Sequence, residues 1–106
     1  VKHHANQNYT TDAYSSSIIK RIFDNANVKY QDFYTRSDMP CGGTLGAISS
    51  SQVSIKSVDI GIAQLAMHSS IETMAAADYE TAVRGLTAFY NAKIVSDGDS
   101  FVKIIY

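Results

Sequence analysis

The apolar residues of this chain change period along its length, and that alternation constrains the fold more than any other feature. Stretches at period two, the spacing of a strand, are interleaved with stretches at three-to-four spacing, the spacing of a helix face. Val1 to Gln7 reads as a short strand. Thr11 and Asp12 then supply N-cap and first-turn chemistry, because their side-chain oxygens can accept from the free N–H groups at a helix start. Ile18, Ile22 and Ala26, flanked by Ile19 and Phe23, give the following helix an apolar stripe, and Asn25 and Asn27 suit its end. Tyr30 to Thr35 alternates and is aromatic, which favours a second strand.

Pro40, Gly42, Gly43 and Gly46 punctuate the stretch Ser37 to Gly46 and make it a loop. A short helix follows, ending near Gln52. Val58, Ile60 and Ile62 share one face of a third strand, and Gln64 to His68 is a strand-to-helix turn. Ser69 and Glu72 stand at capping-box spacing, so a helix is expected to start there at once. Asp78 reads as a second N-cap, followed by a long helix with Tyr79, Val83, Leu86 and Tyr90 on its apolar face. Asp97-Gly98 is a turn signal, and Phe101 to Tyr106 reads as a terminal strand. The order is βαβαβα with a further strand at the end. Such alternation indicates an α/β fold with parallel pairing. So few strands would leave an edge needing cover, which suits a piece of a larger sheet.

Composition narrows the function classes. With 106 residues, 45% of them hydrophobic, the chain can hold one small domain. The 18% charged residues are few for a free surface, so part of it is expected to be covered by another domain or subunit. A net charge of -1 gives no electrostatic case for nucleic acid or an anionic membrane. No apolar run approaches the roughly 20 residues of a membrane span. No signal peptide opens the chain, and the absence of an initiator Met is read as the mark of a fragment or processed product. The single cysteine, Cys41, excludes an internal disulfide and fits a reducing cytoplasm.

Several residues carry candidate chemistry beside a plainer reading. The segment Cys41-Gly42-Gly43-Thr44-Leu45-Gly46 precedes a helix and could bring backbone N–H groups to an anion or substrate. It lacks the Gly-Lys-Ser/Thr ending of a nucleotide loop, and a plain turn is the commoner fate. His68 lies beyond the end of an apolar strand, where α/β proteins place catalytic groups, although a lone histidine is more often structural. His3 and His4 would point to opposite faces of one strand, so they cannot easily share one metal, and surface or packing roles are expected for both. Cys41 with His68 has the composition of a nucleophile–base pair, but nothing orients it. Tyr30, Phe33 and Tyr34 read as packing, not as a stacking platform.

Three linked motifs stand in register. Ser37-Asp38-Met39-Pro40-Cys41-Gly42-Gly43-Thr44-Leu45-Gly46 is followed by Val58-Asp59-Ile60-Gly61, and then by Gln64-Leu65-Ala66-Met67-His68-Ser69. Together they resemble the C-terminal signature of the aspartyl aminopeptidase family of dinuclear metallopeptidases. Ala5-Asn6-Gln7-Asn8-Tyr9, leading into the Ala13 to Phe23 helix, is similar too. The resemblance runs from residue 1 to about 92; residues 1–93 are taken as the C-terminal part of a mixed-sheet catalytic domain, and 94–106 as a tail.

The resemblance implies a site with two divalent metal ions, usually zinc, bridged by an Asp and held by His, Asp and Glu. It implies that His68 is one metal ligand and that Lys2 contacts the substrate. Gly42, Gly43 and Thr44 would line the substrate site. Neutral imidazole suits zinc, and lysine suits a carboxylate-bearing substrate as a point charge. The family's first His, its bridging Asp, its catalytic Glu and its other metal carboxylates have no counterpart in these residues. One ligand cannot build a catalytic zinc site, which needs about three. The expected function is therefore that of a parent enzyme: a zinc-dependent aminopeptidase acting on peptides, preferring acidic N-terminal residues, cytoplasmic, and a homo-oligomer. Residues 1–106 alone would be inactive and would need the N-terminal part of the same catalytic domain. The alternative is a stand-alone α/β ligand-binding or regulatory module that has lost the metals.

Overall fold

Asp12 opens the first helix by a reciprocal cap. Its carboxylate accepts the Ser15 N–H at 2.7 Å, and its own N–H reaches Ser15 Oγ at 3.1 Å. In the computed structural model, which describes residues 1–6, 8–43, 45–98 and 101–106, the elements are β1 (Lys2–His4), α1 (Ala13–Asn25), β2 (Phe33–Thr35), α2 (Leu45–Gln52), α3 (Ala76–Asn91), β3 (Lys93–Ser96) and β4 (Val102–Ile105). The fold class is α/β as expected, with one parallel and one antiparallel strand pair. Two compact units divide the chain, the first formed by 1–19 with 30–61 and the second by 20–29 with 62–106.

In the first unit β1 pairs with β2 in parallel, Lys2 opposite Phe33 and His4 opposite Thr35. Val1 N also donates to Gln31 O at 3.0 Å. Val1, Tyr9 and Ile19 are buried, together with His4, Ser15 and Ser16. The strand expected over Val58, Ile60 and Ile62 does not form. That stretch gives β1 one backbone bond, Lys2 N–H to Asp59 O at 2.9 Å. Apolar alternation makes a strand only where a neighbour offers a row of N–H and C=O groups, and three-residue β1 has little to offer. The loop expected over Ser37 to Gly46 overlaps the helix by two residues, because α2 already begins at Leu45.

In the second unit the lower half of α1 buries Ile22 and Phe23, and Val28 is buried just beyond the helix. Full burial of Ile22, 0% exposed, is worth about 1.5–3 kcal/mol. Asn27 turns the chain out of α1 at φ 55°, the left-handed region that asparagine tolerates. The helix expected to start at Ser69 is absent. Residues 69–75 form bends and an isolated bridge instead, after a tight turn in which Ala66 and His68 take positive φ, 55° and 69°. The Glu72 carboxylate accepts the His68 N–H instead of capping from Ser69, and Leu65 bridges Thr73 in antiparallel fashion.

Helix α3 starts earlier than a cap at Asp78 would place it, with Ala75 as its N-cap and Asp78 inside the first turn, where the helix dipole favours an acid. Asp78 is thus not the cap. The expected apolar face is also rotated. Gly85 is the buried residue, with Thr81, Ala82, Ala88 and Phe89 half-buried around it. Tyr79, Val83, Leu86 and Tyr90 are exposed. Gly85 faces the Phe23 ring so closely that a Cβ would sit 3.0 Å from Cε1; contact with a buried ring, not hydrophobicity along the helix, selects the face. After α3 the chain forms an antiparallel hairpin, Lys93 opposite Ile105 and Ser96 opposite Val102, with Gly98 at φ 116°. No described helix is long and apolar enough to cross a membrane.

Candidate functional site

The candidate residues divide between the two units. Lys2, Gly42 and Gly43 are in the first, His68 is in the second, and Thr44 lies outside the described residues.

Around Lys2 the first unit builds a defined setting. Alternation along β1 sends neighbouring side chains to opposite faces. His4 is buried, edge-on to Tyr9 at 6.3 Å, and its ring nitrogens have no hydrogen-bond partner. His3 goes the other way, bonding Asp32 at 2.9 Å and stacking on Tyr34 at 4.6 Å. The two histidines are separated as the alternation requires. The Lys2 ammonium lies over the Tyr9 ring, 5.4 Å from its centroid, within cation–π range. Burial pushes the Tyr9 phenol above its ordinary pKa, so the ring stays neutral beside the cation.

Asp59 holds this setting together. Its Oδ2 accepts from Thr10 N–H at 3.0 Å and Thr10 Oγ1 at 3.3 Å, its N–H donates to Thr11 Oγ1 at 2.7 Å, and its carbonyl takes the Lys2 N–H. Gly46 comes so near that a Cβ there would meet the Thr10 side chain at 2.8 Å. The glycine loop is held from the same side. Asn6 Nδ2 donates to Ser37 O, and Asn8 Nδ2 donates to Cys41 O and Sγ. Gly42 and Gly43 have open space where a Cβ would be, so no close approach among the described residues explains them. Asn6, Asn8, Thr10 and Asp59 were absent from the candidate residues read from sequence. Asn6, Asn8 and Asp59 are signalled only by membership of the motifs and Thr10 not at all, because each acts through a partner more than 30 residues away.

In the second unit His68 is exposed, on a backbone at φ 69°. Cys41, in the first unit, accepts at Sγ from Asn8 Nδ2 at 3.3 Å. Among the described residues no group of three or more His, Cys, Asp or Glu is placed to hold a metal ion. The residues described therefore do not make a zinc site by themselves; His68 could supply one ligand.

The sequence profile of the aminopeptidase I zinc metalloproteases, M18, matches residues 1–90. The chain belongs to the M18 aminopeptidase family. A probable aspartyl aminopeptidase of Ricinus communis is 43% identical over 85% of this chain and 18% of the relative. A probable M18 family aminopeptidase 2 of Clostridium novyi (strain NT) is 43% identical over 86% of this chain and 21% of the relative. A chain in the cryo-EM structure of the Ape4 and Nbr1 complex superposes with a TM-score of 0.81 at 34% identity, covering 85% of this chain and 17% of that one. The chain thus spans about a fifth of the length of the M18 relatives it matches. The profile ends inside α3, so the β3–β4 hairpin lies beyond it.

Proposed function

We propose that residues 1–106 serve as part of an M18 metallo-aminopeptidase that removes N-terminal residues, acidic ones preferentially, from peptides. Residues 1–93 would be the C-terminal part of its catalytic domain, and 94–106 a tail. The observation that carries this reading is the family match over residues 1–90 at a share of only about a fifth of each relative. The setting of Lys2 supports a contact with a carboxylate-bearing substrate. A cation raised over a neutral aromatic face, on the same unit as a glycine loop, is suited to meet an anion. Gly42 and Gly43 would line that site with backbone N–H groups, and Thr44 would extend it.

His68 would contribute one imidazole to a pair of divalent ions, zinc by the family's description, with the other ligands supplied from outside residues 1–106. When bound, such ions polarise a scissile carbonyl and activate water. On this reading residues 1–106 alone are inactive, and the working enzyme is a soluble cytoplasmic homo-oligomer. The deciding experiment is His68→Ala in the full-length enzyme. Bound metal per subunit should fall, and kcat should drop by at least about 100-fold, the loss expected for a metal ligand. Metal content and kcat both within a few-fold of the parent would show that His68 is a surface histidine and no ligand.

A further inference from the structure

Gly61 stands where a side chain would strike the end of Lys2. A Cβ at Gly61 would lie 2.8 Å from Lys2 Cε and 3.2 Å from Nζ, well inside normal contact. Gly61 is not in the left-handed region, so its backbone does not require glycine. No other described side chain or backbone atom crowds that Cβ within 4 Å. The missing methyl thus bears on one thing in this unit, the position of the lysine terminus.

We propose that Gly61 is a positioning residue for Lys2, and that its lack of a side chain sets where the ammonium is presented to an acidic substrate. Three restraints converge on that ammonium. Asp59 O holds the Lys2 N–H at 2.9 Å and so anchors the start of the side chain. The Tyr9 ring lies beneath the ammonium at 5.4 Å, giving it a weak attractive floor. Gly61, two residues after Asp59, leaves the last methylene a slot with no wall. A lysine stem has four rotatable bonds and would otherwise distribute its charge over many positions. The space at Gly61 admits the placement over Tyr9 that a side chain there would exclude. The inference rests on the reading of Lys2 as the contact for acidic side chains.

The geometry also separates position from stability. The atoms that a Gly61 methyl would meet are the free end of a flexible chain, which can swing away at little cost. Gly61→Ala should therefore leave the fold intact and displace only the ammonium. In the full-length enzyme, with lysines carrying 13C-dimethyl labels, the signal missing from Lys2→Ala identifies Lys2. Gly61→Ala should shift that signal, leave the melting temperature within about 2 °C, and lower the ratio of kcat/KM for an aspartyl over a leucyl anilide about tenfold, mostly through KM. In a Lys2→Ala background the same substitution should leave the ratio within about twofold, because the two residues act as one unit. An unmoved Lys2 signal overturns the proposal, as does an equal fall in the ratio with and without Lys2. A shifted signal with Lys2→Ala itself neutral in the ratio upholds the positioning and overturns the acidic-substrate reading instead. If Gly61→Ala fails to fold, the slot is a structural requirement and the proposal is wrong; Gly61→Ser, which adds one polar atom at the same place, checks that result.

Discussion

Gly85→Ala should destabilise α3, although alanine is the better helix former. In an exposed helix interior the exchange gains about 1 kcal/mol. Here the new methyl would lie 3.0 Å from Phe23 Cε1 and 3.5 Å from Cδ1 and Cζ. Phe23 is buried at 7% exposure and cannot swing into solvent, so the helix or the ring must shift by several tenths of an ångström. Overpacking of that kind costs about 1–3 kcal/mol. The net expectation is a loss of roughly 1 kcal/mol, and the sign should reverse once the ring is removed. In a Phe23→Leu background the methyl has room, and Gly85→Ala should then stabilise by about 1 kcal/mol. Amide hydrogen exchange across α3 reads both effects locally, as opening free energies for Leu86, Ala88 and Phe89. A gain in protection from Gly85→Ala alone would refute the packing account of why this face is buried.

The remaining expectations concern the cap, the ligand set and the surface. The Ser15 N–H, the largest contributor, holds the Asp12 carboxyl below its usual pKa. The cap therefore contributes fully above the unfolded value near pH 4 and is lost as pH falls through the lower folded value. Asp12→Ala should cost about 1 kcal/mol of α1 stability at pH 7, a difference that shrinks below pH 4; an unchanged difference at pH 2 would contradict the cap. The 106-residue chain should hydrolyse no aspartyl or glutamyl anilide above a metal-only blank, and turnover with any divalent ion would show a complete site within it. Its thermal transition should move with protein concentration, because Tyr79, Val83, Leu86 and Tyr90 leave an apolar stripe on α3 in water. A sharp, concentration-independent transition in a monomer would favour the stand-alone module.

What the sequence determined by itself is what depends on neighbours in the chain and on motif spacing. The α/β class, α1 with its Asp12 cap and buried Ile19, Ile22 and Phe23, and α2 ending at Gln52 were all legible, because caps and stripes act over a few residues. The three motifs in register carried the family. What only the tertiary structure decided depends on a distant partner. Val58 to Ile62 has the pattern of a strand, yet β1 gives it one backbone bond. Ser69 and Glu72 have the spacing of a cap, yet the backbone at Ala66 and His68 sends the carboxylate to the His68 N–H. The buried face of α3 follows Phe23, about sixty residues earlier in the chain, and not its own apolar periodicity. The setting of Lys2 belongs to the same class. Tyr9, Asp59 and Gly61 meet it only after folding, since a hydrogen bond, a ring face or a missing methyl acts across space at a few ångströms and leaves no period in the sequence.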